Sequence, residues 1–178
     1  MVYLCMRILG IDPGLAITGW SVVDFDNNGS IELVDFGAVY TEKNLDLKDR
    51  LKEIYLDMHE LLDRFKPDMC GMETLLFYNN VTTAMSVGEA RGVILLSLSE
   101  YNIPLSEFTP LQVKSSITGY GKADKKQVQE NVKLICRLES IPKPDDAADA
   151  IAIAIACFDR MKMDNLKEKN CNGLKHKS

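Results

Sequence analysis

The sequence predicts an α/β fold with a mixed five-stranded sheet, three antiparallel strands and then parallel strands, flanked by helices on both faces. After a first apolar strand, two β-rich runs follow at residues 17–25 and 31–41, and an Asn-Gly pair between them favours a tight turn. Two short apolar segments, at residues 68–73 and 103–108, each come after a stretch with helical character. A strand, helix, strand order predicts parallel pairing with a right-handed crossover.

The first strand is an apolar run that ends on Asp12, directly before Pro13 and Gly14. Branched aliphatic residues suit a buried strand, Pro13 cannot donate to a ladder, and Gly14 permits a sharp exit. Asp12 is therefore predicted at a strand tip, where a site can begin. An aspartate before Pro and Gly is also typical of a side chain that bonds its own turn, so Asp12 alone does not define a site.

Helices are predicted where apolar residues recur every three or four positions and where capping residues stand before such runs. Thr109, followed by proline, and Asp124 are the predicted caps of two of them. Gly88 and Gly92 suggest close packing of a mostly buried helix against a neighbour. The predicted helices cover residues 45–65, 79–101, 111–117, 125–138 and 145–163.

Length and composition predict one globular domain over residues 1–163, followed by a disordered basic tail over residues 164–178. The apolar and charged fractions, 46% and 26%, are those of an ordinary soluble protein. We expect a cytoplasmic protein because the first residues lack the pattern of an export signal. Five cysteines without a C-x-x-C pair predict reduced thiols, and neither His59 nor His176 has a partner at metal-ligand spacing.

Charge is distributed unevenly along the chain. The formal net charge of −5 is unlike that of most duplex-binding proteins, which have a basic footprint. Residues 114–137, however, contain six basic residues and only two acidic ones. Such a segment can bind phosphates, although it is also typical of an ordinary solvated face. The six are Lys114, Lys122, Lys125, Lys126, Lys133 and Arg137.

Further carboxylates stand where they can join Asp12. Glu73 ends the segment that is predicted to run parallel to the first strand. Asp146 and Asp149 are three residues apart at the start of the last helix, and Asp145 and Asp149 are four apart, so either pair shares a helix face. The spacing does not choose between Asp145 and Asp146. Acidic residues at a helix start can also serve only as caps.

Two strand-tip carboxylates and a pair at a helix start form a constellation that capping does not explain. Clustered carboxylates repel one another and are tolerated when a divalent cation neutralises them. Oxygen ligands without His or Cys indicate magnesium or manganese. Two such ions about 4 Å apart can activate a water and stabilise the leaving oxygen in phosphodiester cleavage.

Four blocks of this sequence resemble the RuvC family, the bacterial Holliday junction resolvases of the ribonuclease-H-like superfamily. They occur in the order typical of that family and cover about residues 7–160, so the resemblance is far more specific than a single Asp-Pro-Gly. The blocks are ILGIDPGLAITGW, GMETLLFYNNVTTAMSVGEARG, FTPLQVKSSITGYGKADKKQVQ and DDAADAIAIAI.

The resemblance implies a catalytic, metal-binding set made of Asp12, Glu73, Asp146 and Asp149. The D-A-A-D-A pattern of the family falls on Asp146, which favours it over Asp145. Two Mg²⁺ ions per active site are implied, for which Mn²⁺ can substitute.

The same resemblance places basic residues near the scissile phosphate and the DNA backbone. Lys114 is implied as a catalytic residue that neutralises developing charge, although it can equally be an ordinary phosphate contact. Lys125 is implied to lie beside it, and we expect Lys122 and Lys126 to contact DNA as well.

One position departs from the family pattern. Relatives often have a phenylalanine three residues after the catalytic glutamate, which is thought to wedge against bases, whereas this chain has Leu76 there and Phe77 next. An exposed aromatic side chain can stack on an unpaired base, so we expect Phe77 to act as the wedge. Leu76 is the alternative, and Phe77 can instead pack in the core or at a subunit interface.

The resemblance implies a metal-dependent endonuclease that resolves four-way DNA junctions by paired, symmetric nicks during homologous recombination and DNA repair. Two symmetric cuts predict a homodimer, and the long apolar helix at residues 79–101 is the expected interface. Cooperation with a RuvA–RuvB branch-migration complex is also implied. The alternatives are an ATPase of the actin and sugar-kinase-like group, which lacks its glycine-rich phosphate loops here, and a junction-binding module without catalysis.

Overall fold

The computed structural model describes residues 5–26, 28–75 and 81–175. Its core is one mixed sheet of five strands with five helices packed on its faces. No helix in the described part of the chain is long and apolar enough to cross a membrane. The elements are β1 (Met6–Asp12), β2 (Ile17–Phe25), β3 (Ile31–Tyr40), α1 (Leu47–Phe65), β4 (Met69–Glu73), α2 (Val81–Glu100), β5 (Leu105–Phe108), α3 (Pro110–Thr118), α4 (Lys125–Ile135) and α5 (Asp145–Lys175).

The sheet has the strand order β3-β2-β1-β4-β5, so β1 lies at its centre. β2 and β3 are antiparallel neighbours, whereas β4 and β5 run parallel to β1. The turn between β2 and β3 is held by the Asp26 carboxylate, which accepts from the amides of Asn28 and Ser30 at 2.8 and 2.7 Å. Gly29 there has a φ of +85°, as the Asn-Gly signal predicted. The predicted mixed sheet is confirmed.

Both faces of the sheet are buried, because successive side chains of a strand point to opposite sides. Ile8 of β1 packs with the side chains of α3, α4 and α5 on one face, while its neighbour Leu9 packs with α1 and α2 on the other. Both are fully buried. The first half of α5 is buried almost all round, which explains its Ala- and Ile-rich sequence.

The two predicted helix caps are confirmed. Thr109 caps α3 and Asp124 caps α4, and in each case a glutamine at the third helical position completes a capping box. Gly119, with a φ of +74°, ends α3 in the left-handed region that favours glycine.

The prediction that α2 is mostly buried was wrong for one face of this helix. Met85 is 61% exposed and Leu96 is 54% exposed. Among the described residues, a Cβ added at Gly92 would meet nothing within 4 Å, and one at Gly88 would meet only a leucine side chain at 3.5 Å. Neither glycine makes the expected close contact with that part of the chain. An apolar sequence without a polar stripe does not reveal which of its faces the monomer covers.

Two other details differ from the sequence predictions. The last helix continues past its predicted end at Met163 to Lys175, and residues 164–175 contain no proline that would stop it. Whether residues 164–178 are disordered in solution, and whether residues 1–163 fold as one domain, stay predictions. His59, predicted as a solvated surface residue, lies between α1 and α2, and its Nε2 is 2.9 Å from a carboxylate oxygen of Glu100.

Candidate active site

Asp12 is the last residue of the central strand, and it lies opposite Gly19 of β2 in the ladder. The turn that follows is held by Thr18, whose hydroxyl donates to the Gly14 carbonyl at 2.7 Å and accepts from the Gly14 amide at 3.4 Å. A neighbouring threonine therefore supplies the hydrogen bonds that the turn needs. This favours a site role for Asp12 over the alternative that its carboxylate serves its own turn.

Glu73 ends the parallel neighbour of β1. The ladder pairs Ile11 with Met72, one residue before each carboxylate, so the two acidic residues leave the same edge of the sheet side by side. On the other side of β4, the amide and hydroxyl of Thr74 both donate to the Phe108 carbonyl, at 2.8 and 3.1 Å. The carboxyl ends of parallel strands form the usual position for a site in an open α/β sheet.

The first turn of α5 brings two further carboxylates to this edge. The charges of Asp146 and Asp149 both raise the pKa of Asp12. A Cβ added at Gly19, the ladder partner of Asp12, would lie 2.9 Å from the Asp146 Cβ, so Asp146 lies beside the tip of β1. Asp145 pairs with Lys125, whose Nζ lies 3.5 Å from it. Of the two residues that spacing left open, Asp146 is therefore the one beside the strand tip.

Three glycines explain how α5 comes so close to the sheet. Gly19, Gly10 and Gly71 lie on adjacent strands, and a Cβ added to each would meet α5 at successive turns. At Gly19 that atom would lie 2.1 Å from the Asp146 carbonyl oxygen, and at Gly10 it would lie 2.0 Å from that of Ala150. A strand glycine that allows close backbone approach is a recognised sequence signal, but it does not name the partner.

The carboxylates behave as one electrostatic cluster. Burial raises the pKa of Asp12 to about 8, with further contributions from the charges of Glu73, Asp149 and Asp146. Burial and the charge of Asp149 raise the pKa of Glu73 to about 7, and burial also raises the pKa of Asp149. Asp12, Glu73 and Asp149 are therefore hard to ionise beside one another. Strongly raised carboxyl pKa values at one sheet edge mark a candidate functional site.

Two lysines oppose this charge. Lys125 Nζ lies 3.1 Å from an Asp149 carboxylate oxygen and lowers the pKa of Asp149. Burial lowers the pKa of Lys125 itself, but its bonds to Asp149 and Asp145 outweigh this and raise it overall. Lys114 lowers the pKa of Glu73. The ammonium group of Lys125 thus already contacts the carboxylate cluster, which shows that positive charge is favoured there.

The donor set fits a hard divalent cation, since it consists of carboxylate oxygens without His or Cys. No three His, Cys, Asp or Glu side chains in the described ranges already converge at metal-binding distance. The backbone brings the carboxylates into one cluster, and drawing their oxygens to a common ion requires rotation of side chains. Rotation of a side chain costs little compared with movement of a strand, so the arrangement of the backbone is compatible with metal binding by this cluster.

Two small clefts meet at Glu73. One, of about 180 Å³, has Lys114, Lys125 and Asp149 on its walls. The other, of about 210 Å³, has Asp12 on its wall together with Thr74 and Leu75. A larger cleft of about 900 Å³ lies between α3 and the second half of α5 and contains none of the four carboxylates. The chemistry of the lining residues, and not cleft size, therefore identifies the candidate site.

Some predicted residues are separate from this cluster. Lys122 and Lys126 are exposed, Lys122 just before α4 and Lys126 in its first turn. Leu76 and Phe77, the predicted wedge residues, lie outside the described residues. Sequence reasoning missed Arg91, which donates to the Glu73 backbone carbonyl at 3.0 Å. Arg91 is the single basic residue in the sequence of α2, and this isolation was an available signal.

Comparison with known proteins now decides the family. The family model described as "Crossover junction endodeoxyribonuclease RuvC" matches residues 8–157. This chain belongs to the RuvC family. The resemblance stated from the four sequence blocks is confirmed. The RuvC match includes Asp12, Glu73, Asp146 and Asp149, although it does not by itself test their roles.

Relatives of known name agree over most of the chain. The crossover junction endodeoxyribonuclease RuvC of Finegoldia magna is 49% identical over 163 residues, which are 92% of this chain and 99% of the relative. That of Thermotoga maritima is 54% identical over 149 residues, which are 84% of this chain and 88% of the relative. RuvC proteins of nearly the same length therefore share about half of their residues with this chain.

Solved structures agree with the fold. Thermus thermophilus RuvC has a TM-score of 0.83 and 33% identity, covering 89% of this chain and 96% of that one. A second structure, of T. thermophilus RuvC in complex with a Holliday junction substrate, has a TM-score of 0.82 and 30% identity with the same coverage. The yeast mitochondrial Holliday junction resolvase, at 16% identity and a TM-score of 0.60, shares the fold. The predicted ribonuclease-H-like sheet is confirmed.

Proposed function

We propose that this chain is a structure-selective endodeoxyribonuclease that resolves four-way DNA junctions by paired, symmetric, metal-dependent nicks in homologous recombination and DNA repair. The observation that carries the proposal is the carboxylate cluster, which β1, β4 and α5 bring to one sheet edge in a chain of the RuvC family. The related T. thermophilus RuvC has been solved with a Holliday junction substrate, which supports a four-way junction as the substrate here.

Asp12, Glu73, Asp146 and Asp149 would hold the metal, which we propose to be two Mg²⁺ ions, with Mn²⁺ as a substitute. When bound, such ions lower the pKa of a water and neutralise charge on the transferring phosphate. The burial that raises the carboxyl pKa values also strengthens the attraction of these carboxylates for a cation, because the local dielectric constant is lower than that of water. The protein contributes a donor set whose mutual repulsion favours cation binding.

Lys114 and Lys125 border the cleft of about 180 Å³ together with Glu73 and Asp149. A phosphate entering this cleft would meet two ammonium groups, of which that of Lys125 is held by an ion pair with Asp149 at 3.1 Å. Lysine donors can stabilise the charge that develops on a phosphate oxygen in the transition state. We propose Lys114 as the catalytic lysine, with Lys122, Lys125 and Lys126 as contacts to the DNA backbone, and Phe77 or Leu76 as the wedge.

Cleavage of a synthetic four-way junction, measured beside linear duplex of the same sequence, tests this function. We expect paired nicks in strands of like polarity, in the junction alone, with Mg²⁺ and not with EDTA. Junction binding without cleavage in Mg²⁺ or Mn²⁺ would contradict the endonuclease assignment and indicate a binding module. Equal treatment of junction and duplex would contradict selectivity for DNA structure.

We propose that the enzyme acts as a homodimer through the exposed face of α2. Two symmetric nicks across a two-fold junction require two active sites related by the same symmetry. Met85, Gly92 and Leu96 give α2 an apolar face that the described residues of this chain leave uncovered. Apolar side chains beside an open glycine allow close approach of a second helix. A RuvA–RuvB complex as partner, which the family resemblance implies, and a cytoplasmic location complete the proposal.

Leu96→Glu tests the interface, because a charge placed in a buried apolar contact is strongly unfavourable. We expect the mass in solution, measured by light scattering, to fall from twice the chain mass of 19.9 kDa to that mass. Leu134→Glu is the matched control, since Leu134 is 71% exposed on α4, on the opposite face of the sheet. Equal masses for both variants would exclude this face of α2 as the interface.

A further inference from the structure

Arg91 is a charged residue that points from α2 to the tip of β4. Its side chain is only 14% exposed, although it lies on an otherwise uncharged stretch of helix after Glu89. Its Nη1 donates to the backbone carbonyl of Glu73 at 3.0 Å, and its Nη2 pairs with the carboxylate of Glu107. A buried guanidinium with two acceptors on neighbouring strands is costly to place unless both acceptors are satisfied together.

The hydrogen bond from Arg91 to the Glu73 carbonyl lies just past the end of the β1–β4 ladder. β1 pairs with β4 only as far as Met72, one residue before Glu73. On the β5 side, the Phe108 carbonyl accepts from the Thr74 amide, which holds the chain just after Glu73. The carbonyl of Glu73 itself accepts from a side chain of a helix. The direction in which the Glu73 side chain leaves the backbone therefore depends on Arg91 as well as on the strands.

The guanidinium is itself held in place by β5. Glu107, its second acceptor, has its backbone carbonyl bonded to Arg160 Nη1 at 2.8 Å. The Arg160 guanidinium also lies 3.9 Å from the centre of the Phe108 ring. These two contacts from Arg160 of α5 hold β5 at Glu107 and Phe108. The planar guanidinium of Arg91 thus donates through Nη2 to a fixed acceptor, Glu107, and through Nη1 to the Glu73 carbonyl.

We propose that Arg91 is a positioning residue that orients Glu73 for metal binding and junction cleavage. The proposal rests on the proposed function for the role of Glu73. Arg91 contacts the backbone of Glu73 and the carboxylate of Glu107, so it acts through the backbone of the proposed metal ligand. Because α2 also carries the proposed dimer face, the second subunit and the Glu73 carbonyl are connected through one helix.

Arg91→Met tests the proposal, since methionine keeps an apolar stem and removes all donors. We expect the single-turnover cleavage rate to fall by about 10-fold to 100-fold, as for loss of a residue that orients a metal ligand. Junction affinity, measured in Ca²⁺, should not change. Arg91→Lys should recover part of the rate, because an ammonium can reach one acceptor but not both in the planar geometry of arginine.

A second readout does not depend on cleavage. The Mn²⁺ concentration that gives half of the metal-induced rise in melting temperature should increase in Arg91→Met, because Glu73 is no longer oriented. Arg64→Met is the matched control: it removes an arginine with its ion pair to Asp35 of β3 at 3.2 Å, in the last turn of α1, which precedes the start of β4 and not its tip at Glu73. If the role of Arg91 were merely structural, Arg91→Met would have a lower melting temperature. Its Mn²⁺ midpoint, like that of Arg64→Met, would then stay unchanged.

The two readouts separate the inference from the function on which it rests. If the wild type does not cleave junctions, the proposed function fails, while the Mn²⁺ midpoints still test the positioning role. If Arg91→Met and Arg64→Met have the same Mn²⁺ midpoint, Arg91 does not position Glu73, whatever the cleavage assay shows. A slower Arg91→Met rate that tracks a loss of junction affinity would also overturn the proposal.

Discussion

Glu73→Gln should lose junction cleavage while keeping junction binding. Glutamine has almost the same shape but no charge, so it removes one anionic ligand from the cluster and leaves the backbone of β4 in place. We expect the single-turnover rate to fall on the order of a thousand-fold, which corresponds to roughly 4 kcal/mol of lost transition-state stabilisation. Product formation in Mg²⁺ and binding in Ca²⁺, measured on the same junction, separate the two effects.

The same substitution should stabilise the metal-free protein at high pH. The folded-state pKa values of Glu73 and Asp12, about 7 and about 8, lie above the ordinary carboxyl values of about 4. Between these limits the folded state retains protons that the unfolded state has lost. The contribution of these groups to the free energy of unfolding is therefore fully present below about pH 4 and is lost as pH rises through 7 and 8.

Glu73→Gln removes one of these groups and lessens the repulsion on Asp12. In EDTA, its melting temperature should exceed that of the wild type at pH 8 and approach it at pH 5. Glu60→Gln, the same change on an exposed position of α1, should show neither the loss of cleavage nor the pH-dependent gain. A variant that is less stable than the wild type at pH 8 would show that Glu73 is not part of a repulsive cluster.

The strand tips could be predicted because their signals are local. An apolar run that ends on a carboxylate places Asp12 and Glu73 at the ends of their strands, and parallel pairing then brings them together. The order of strands and helices could also be predicted, from the hydrophobic periodicity and the turn residues along the chain. Capping at Thr109 and Asp124 was equally local, since each cap involves residues only three positions apart.

The orientation of α5 could not be predicted from spacing, because it is set by contacts between distant segments. Asp145 and Asp146 are equivalent by spacing alone. The packing of α5 against Gly10 and Gly19 decides which of them faces Asp12. Arg91 was missed for the same reason, since its acceptor is 18 residues away in sequence. The exposed face of α2 was missed because its apolar residues suit a subunit contact as well as a core.

Gly19→Ala should both destabilise the protein and slow cleavage. Gly19 lies between β1 and β3 in the sheet, opposite Asp12 and Ala38, so the strand cannot move aside. The new Cβ would lie 2.1 Å from the Asp146 carbonyl oxygen and 2.4 Å from its carbon. Because the obstacle is backbone and not a flexible side chain, the start of α5 must shift, and Asp146 and Asp149 shift with it.

We expect Gly19→Ala to cost about 3 kcal/mol, the upper part of the range for overpacking. For a protein of this length the melting temperature should fall by about 6 to 12 °C. Cleavage per folded molecule should fall by about 100-fold, since a displacement of about 1 Å is enough to lose that much rate. Both are measured well below the melting temperature of the variant, by thermal unfolding and single-turnover cleavage.

Gly88→Ala is the matched control for the same chemical change. Its Cβ would meet only a Leu75 side-chain carbon at 3.5 Å, an ordinary contact, and alanine favours the helical backbone over glycine. Its melting temperature should not fall. If Gly19→Ala were as stable as Gly88→Ala and cleaved at the wild-type rate, α5 would not be seated against β2 as the structure shows. Loss of stability with an unchanged rate per folded molecule would instead separate the helix seat from the placement of the carboxylates.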